Sequence, residues 1–242
     1  MSHSNSLRSI VARSVAHAVQ TGRRTAFVLA LASAPLVARA GPALVAAPAA
    51  GADDAIVLPA PKDFAAAIAA VEAATGTEGE VIETEAGIKI PLSAGRAFAL
   101  EPHVASRLLA GSHGPFRKAG IYLFRYERAY GLPGEKDRIG LMPTSDPDLV
   151  IRRMGTSGHR HGVTTEQIIQ WLHALERDEA FELLEIGSDF VAGRFEREPK
   201  DPVALAHRAA KFAPDLVSGH SDPTAGLADL IGRKRTLFLI WD

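Results

Sequence analysis

From Lys62 to Asp242 the chain alternates between short apolar runs and amphipathic stretches that begin at a capping residue, and that alternation restricts the fold more than any other feature. Arg138 to Met142 reads as a buried strand, after which Asp146 caps a helix running to about Met154. Beyond the glycine-rich stretch Gly155 to Gly162, Thr164 or Thr165 caps a second helix with Ile168, Ile169, Leu172 and Leu175 on its apolar side and Glu166 and Gln167 near the capping-box position. Ala180 to Phe195 holds two strands turned near Gly187 to Asp189. Asp201 caps a helix carrying Leu205, Ala209 and Phe212, Asp222 or Thr224 caps one carrying Leu227, Leu230 and Ile231, and Thr236 to Trp241 closes the sheet. Such an order predicts an α/β (α+β) fold with a mixed or antiparallel sheet packed by helices.

The preceding residues extend the pattern. Asp63 is placed to cap a helix over Phe64 to Ala74, with Phe64, Ile68 and Val71 on one face and Gly76 as its stop. Val81 to Ile90 alternates about an Ala-Gly turn and reads as a hairpin. Pro102 to Ala110 predicts a short helix broken by Gly111 and Gly114, and Gly120 to Tyr126 predicts another apolar strand. Tyr130 to Asp137 is a polar loop.

Upstream the composition changes. Arg8, Arg13, Arg23 and Arg24 occur without an acidic residue before an apolar run from Thr25 to Val37, which leads to Ala38-Arg-Ala40. A positive region, an apolar region and a small-x-small site in that order predict a cleaved export signal over residues 1–40 and a periplasmic destination. The run is shorter than the roughly 20 residues needed to span a bilayer, so no transmembrane segment is expected in the mature protein. Thr21-Gly-Arg-Arg-Thr-Ala-Phe27 loosely matches a twin-arginine signal. A misassigned start codon would instead leave a cytoplasmic protein. Gly41 to Pro61, rich in Ala, Pro and Gly, reads as a spacer. One domain then follows, with a helix and hairpin portion over 62–115 and the remainder over 116–242.

Composition bounds the chemistry. The formal net charge is −1, and no long run of like charge supplies a footprint for nucleic acid or an anionic membrane. The chain has no cysteine, which excludes disulfides, thiolate nucleophiles and thiolate metal sites. No cofactor is implied.

The candidate surface is Gly155, Thr156, Gly158, His159, His161, Asp189, Asp215, Trp241 and Asp242. The glycines permit positive φ and close backbone approach, so the loop would cradle an anion ahead of the helix near Thr165. It lacks the Lys-Ser/Thr ending of a phosphate loop and the spacing of a dinucleotide fingerprint. His159 and His161 would both face a metal if the loop were extended, with Asp189, His207 or His220 as distant donors, but no metal-binding motif accompanies them. Solvated loop histidines are the better reading, and His173 is read as a surface residue. Ser188 and Asp189, followed by His207, do not form the Gly-x-Ser-x-Gly elbow of a serine hydrolase. Trp241 pins the last strand, and Asp242 is placed to pair with an arginine such as Arg152, Arg153 or Arg194.

The order of Ile139-Gly-Leu-Met-Pro-Thr144, the Gly155 to Gly162 loop, Gly187-Ser-Asp-Phe190, Lys200-Asp-Pro202, Phe212-Ala-Pro-Asp215 and the Trp-Asp end resembles the bacterial domain-of-unknown-function 4253 family, from about Phe116 to Asp242. Family members usually carry Gly-Thr-Asn-Gly and an Asn-bearing pair where Ser157, His159 and His161 stand, and a Cys where Ala213 stands. The resemblance implies no reaction. The leading functional expectation is an exported, non-catalytic binding or interaction module with an unidentified protein or small-molecule partner. A small-molecule-binding protein or enzyme using the Gly155 to Gly162 loop is the alternative, and an immunity-like toxin-neutralising protein is a weaker one.

Overall fold

A computed structural model describes residues 55–84, 87–130, 132, 134–217 and 223–241. All of them fall in the compact unit Leu44–Asp242. The expected leader, most of the spacer, His220, Asp222 and Asp242 lie outside the described residues.

The element order is α1 (Phe64–Thr75), β1 (Ile82–Glu83), β2 (Lys89–Ile90), β3 (Arg96–Leu100), α2 (Pro102–Lys118), β4 (Tyr122–Glu127), β5 (Asp137–Met142), α3 (Pro147–Met154), α4 (Thr165–Asp178), β6 (Phe181–Ile186), β7 (Phe190–Phe195), α5 (Pro202–Phe212), α6 (Pro223–Arg233) and β8 (Thr236–Ile240). One-turn 3-10 helices occupy His159–His161 and Pro214–Val217. The fold is therefore α/β. Strands β1 and β2 form the expected hairpin, and a six-stranded sheet runs in the order β3-β5-β4-β6-β7-β8. Its pairings are antiparallel except β4 with β6, which are parallel and meet at Arg125 and Glu185. Among the described residues no helix is long and apolar enough to cross a membrane.

Alternation along the strands splits the core between the two sheet faces. Phe98, Leu100, Leu123, Ile139 and Leu141 meet α1 and α2 on one face through Val71, Leu108 and Phe116. Tyr122, Phe124, Met142, Leu183, Val191 and Leu237 meet α3 to α6 on the other. Gly140 is required opposite Phe124 on the neighbouring strand, because a Cβ there would come within 2.6 Å of the Phe124 ring.

Local capping chemistry fixes most helix starts. Asp63, Asp146 and Asp201 each accept a backbone N–H from the first turn of α1, α3 and α5. Thr164 and Gln167 complete a reciprocal capping box on α4.

Three features depart from the sequence-based expectation. Helix α2 continues through Gly111 and Gly114 to Lys118 instead of stopping at Ala110. Gly111 serves tertiary packing: a Cβ would lie 2.4 Å from the Ile56 carbonyl oxygen. Here the end of the spacer is held against α2, with Ile56 N–H donating to the Arg107 carbonyl at 3.0 Å and the Ser112 hydroxyl donating to the Ile56 carbonyl at 2.7 Å. Strand β3, unexpected from sequence, pairs along its length with β5.

Candidate functional site

Segments far apart in sequence converge at the end of the sheet where β6 turns into β7. Gly155 closes α3 in the left-handed region at φ 68°. Thr156 is fully buried, and its hydroxyl donates to the Gly187 carbonyl at 2.6 Å. Ser157 N–H donates to the Ser188 carbonyl at 2.9 Å, which ties the glycine loop to the β6–β7 turn. Trp241 N–H donates to the Asp189 carbonyl at 2.8 Å, and its indole N–H donates to the Phe212 carbonyl at 2.8 Å. The Trp241 indole also packs edge-on against Phe212, which stacks on Trp171. Trp241 thus pins the last strand as expected.

The loop is closed by its own hydrogen bonds. The N–H groups of Gly155, Thr156, Ser157, Gly158, His161 and Gly162 each donate to a protein carbonyl. An anion cradle needs such groups directed outward. His159–His161 form a 3-10 turn, not the extended segment that a shared metal would require. His159 is exposed, while His161 Nε2 meets Asp215 Oδ2 at 2.5 Å. No group of three His, Cys, Asp or Glu side chains able to hold a metal occurs among the described residues. The structure therefore joins Thr156, Gly158, Asp189 and Trp241 through packing and backbone contacts, and it joins His161 to Asp215 through their side chains. His173, read as a surface residue, is exposed and meets Asp148 at 3.0 Å. Arg152 and Arg194 pair with Glu166 and Glu182.

Two charged assemblies were not apparent in the sequence. In the first, buried Arg125 donates to Glu185 at 2.9 Å and to the Ser106 hydroxyl at 2.8 Å. Its Nε lies 2.9 Å from Asp137 Oδ2, outside hydrogen-bond geometry. Arg128 grips both Glu185 oxygens at 2.6 and 2.7 Å while lying over the Phe238 ring. Two guanidiniums against two carboxylates balance the charge across the parallel β4–β6 junction. The one available signal was a charged residue at Arg125 inside the otherwise apolar run Ile121 to Tyr126.

The second assembly is an open cleft of about 490 Å³ lined by Arg117, Phe181, Glu182, Arg194, Phe195, Glu196 and Arg235. It sits where β6 begins, β7 ends and β8 begins, at the other end of these strands from the glycine loop. Arg194 Nε donates to Glu182 at 2.8 Å, Arg235 Nη1 donates to the Glu196 carbonyl at 2.9 Å, and Arg117 lies over the Tyr122 ring. Buried His113 stands behind Glu182, with its Nε2 3.8 Å from the Glu182 carboxylate and without a hydrogen-bond partner among the described residues. Burial lowers the His113 pKa below 6.5, against the opposing pull of its backbone contact and of Glu182. Burial raises that of Tyr122. The cleft thus offers fixed positive and negative groups side by side, suited to holding a charged ligand.

Residues 138–242 match the family described as Domain of unknown function (DUF4253). The resemblance carried by the glycine loop, the Pro-Asp element and the Trp-Asp end is borne out over that span. The match begins at Arg138, so Arg117, Arg125 and β4 precede it. Neither a curated protein nor a solved structure matches the chain.

Proposed function

We propose that this chain is an exported, non-catalytic binding module whose recognition site is the cleft at the start of β6. The observation that carries the reading is the set Arg117, Glu182, Arg194, Glu196 and Arg235, brought together from α2, β6, β7 and the turn into β8. These five charged side chains belong to neither apolar cluster. By contrast, Thr156, Gly158 and Trp241 are engaged in closing the fold. A ligand that prefers the folded chain raises its apparent stability by mass action. Arg117→Gln with Arg235→Gln is expected to abolish ligand-dependent stabilisation while leaving unliganded stability nearly unchanged. Persistence of that stabilisation in the double variant counts against the cleft.

The half-exposed His161–Asp215 pair favours a second reading, with the ligand held at the glycine loop. His161→Ala separates the two: it removes binding under the loop reading and leaves it intact under the cleft reading. Export rests on the positive, apolar and small-residue order of residues 1–40. Cell fractionation with amino-terminal sequencing is expected to find a mature chain in the periplasm beginning near Gly41. An intact leader on a cytosolic chain would contradict export.

A further inference from the structure

We propose that the outer edge of β8 is an interface at which a second copy of this chain adds its own β8 antiparallel, about a two-fold axis at Phe238. The inference stands apart from what the cleft binds.

The edge is open and unguarded. Strand β8 ends the six-stranded sheet, and among the described residues no strand pairs with its outer side. At the sheet's other end the chain covers itself, because Glu80 exchanges backbone hydrogen bonds with Ala97 of β3 at 2.8 and 2.9 Å. An uncovered apolar edge is a template for another strand, and chains blunt such edges with a proline, a charge or a bulge. Thr236-Leu-Phe-Leu-Ile240 has no proline and no charged side chain, and its pairing with β7 runs without a register shift.

Backbone direction decides which groups are on offer. Trp241 N–H donates to the Asp189 carbonyl and Phe195 N–H to the Arg235 carbonyl, so Arg235, Leu237, Leu239 and Trp241 turn their main-chain groups toward β7. Thr236, Phe238 and Ile240 therefore turn theirs outward, and these are the half-exposed positions of the strand. The set is symmetric about Phe238. An antiparallel second copy centred there sets Thr236 opposite Ile240 and Phe238 opposite its own counterpart, so that every outward N–H and C=O finds a partner. One self-complementary patch on both copies is what a closed two-fold dimer requires. The Phe238 ring is braced for that contact, with the Phe190 ring 5.5 Å away and the Arg128 guanidinium 5.6 Å from its centre. Glu185 already neutralises Arg128.

The ends of the strand differ in charge. Exposed Arg233, Lys234 and Arg235 lead into β8, whereas Asp189 adjoins Trp241 and Asp242 follows it in the sequence. The register sets Arg235 level with Trp241 of the partner subunit, so the cations of each copy approach the aspartate end of the other. That complementarity favours a second copy over an unrelated extended peptide. Arg235 also lines the cleft, which lies at the other end of the strands from the glycine loop. Antiparallel pairing makes the cleft of one copy a neighbour of the glycine-loop end of the other.

Sedimentation velocity of the purified chain is expected to show a monomer–dimer equilibrium. Phe238→Lys sets like charges opposite each other at the axis and should give a folded monomer. Because the chain has no cysteine, single-cysteine variants report the register independently. Phe238→Cys is expected to form a disulfide-linked dimer on mild oxidation, since opposed hydrogen-bonded residues have Cα atoms about 5.5 Å apart, inside the usual disulfide range of roughly 4.4–6.8 Å. Thr236→Cys alone should not cross-link, because the two copies of that position would stand roughly 14 Å apart. A mixture of Thr236→Cys and Ile240→Cys chains should. A native chain that sediments as a monomer at every concentration overturns the proposal, even if an unrelated peptide binds the edge. So does a folded Phe238→Lys chain that stays dimeric, or a dimer in which Phe238→Cys fails to cross-link or Thr236→Cys cross-links as readily.

Discussion

The indole of Trp241 lies directly on Gly158, where an added Cβ would stand 2.6 Å from the ring atoms Cγ and Cδ1. Gly158→Ala therefore overpacks the junction between the glycine loop and the final strand. It should destabilise the chain by about 1–3 kcal/mol. Nothing lies within 4 Å of a Cβ at Gly162 in the same loop, so Gly162→Ala meets only the strain of its φ of 69°. Urea denaturation of both variants checks the contrast; a smaller loss in Gly158→Ala than in Gly162→Ala would contradict it.

At Gly111, helix propensity and packing predict opposite signs. Alanine is favoured over glycine within a helix by about 1 kcal/mol. A Cβ at this position would instead meet the Ile56 carbonyl oxygen at 2.4 Å. Gly111→Ala is expected to detach residues 55–58 from α2, seen as faster amide exchange at Ile56 and Leu58. Unchanged exchange with raised stability would show that the close approach is dispensable.

Glu185 is the shared acceptor for Arg125 and Arg128. Glu185→Gln leaves buried Arg125 with Asp137 as its one remaining carboxylate and should cost about 3–5 kcal/mol, the usual penalty for breaking a buried ion pair from one side. Thermal and urea unfolding measure it. A loss below about 1 kcal/mol would mean that the network contributes little to holding β4 beside β6.

Buried His113 gives stability a definite pH dependence. Its folded-state pKa is depressed below 6.5 by desolvation, so the unfolded chain binds the proton more readily as the pH falls. The His113 contribution is fully present above its unfolded value and declines as the pH drops through 6.5 toward the lowered folded value. The difference between native and His113→Gln chains in urea midpoint should therefore narrow across that window. A difference that widened on acidification would contradict the assigned direction.

How much could be read beforehand depended on the range of the interactions. The caps at Asp63, Asp146, Thr164 and Asp201 act within a few residues, and all were legible. Gly76 could be read as a stop because its role is local, whereas Gly111 was misread because its role depends on Ile56 across the fold. The alternating run Arg96 to Leu100 was too short to stand out, and its pairing with β5 crosses the whole of α2 and β4. Thr156, Asp215 and Trp241 stood out in sequence as candidate surface residues, whereas the burial of Thr156 and Trp241 and their bonds to the Gly187 and Phe212 carbonyls, like the His161–Asp215 contact, depend on segments far apart in the chain. The cleft was not legible: Arg117 comes from the part of α2 beyond Ala110, where Gly111 and Gly114 predict a break, and Arg235 lies at a turn.

The most direct test of the cleft as recognition site is a thermal-shift screen of the native chain, the Arg117→Gln/Arg235→Gln chain and the His161→Ala chain against amino acids, organic acids, nucleotides, sugars and metals. The cleft reading predicts a ligand-dependent rise in melting temperature that survives His161→Ala and disappears in the double arginine variant. A rise that disappears in His161→Ala and persists without both arginines would contradict it and place recognition at the glycine loop.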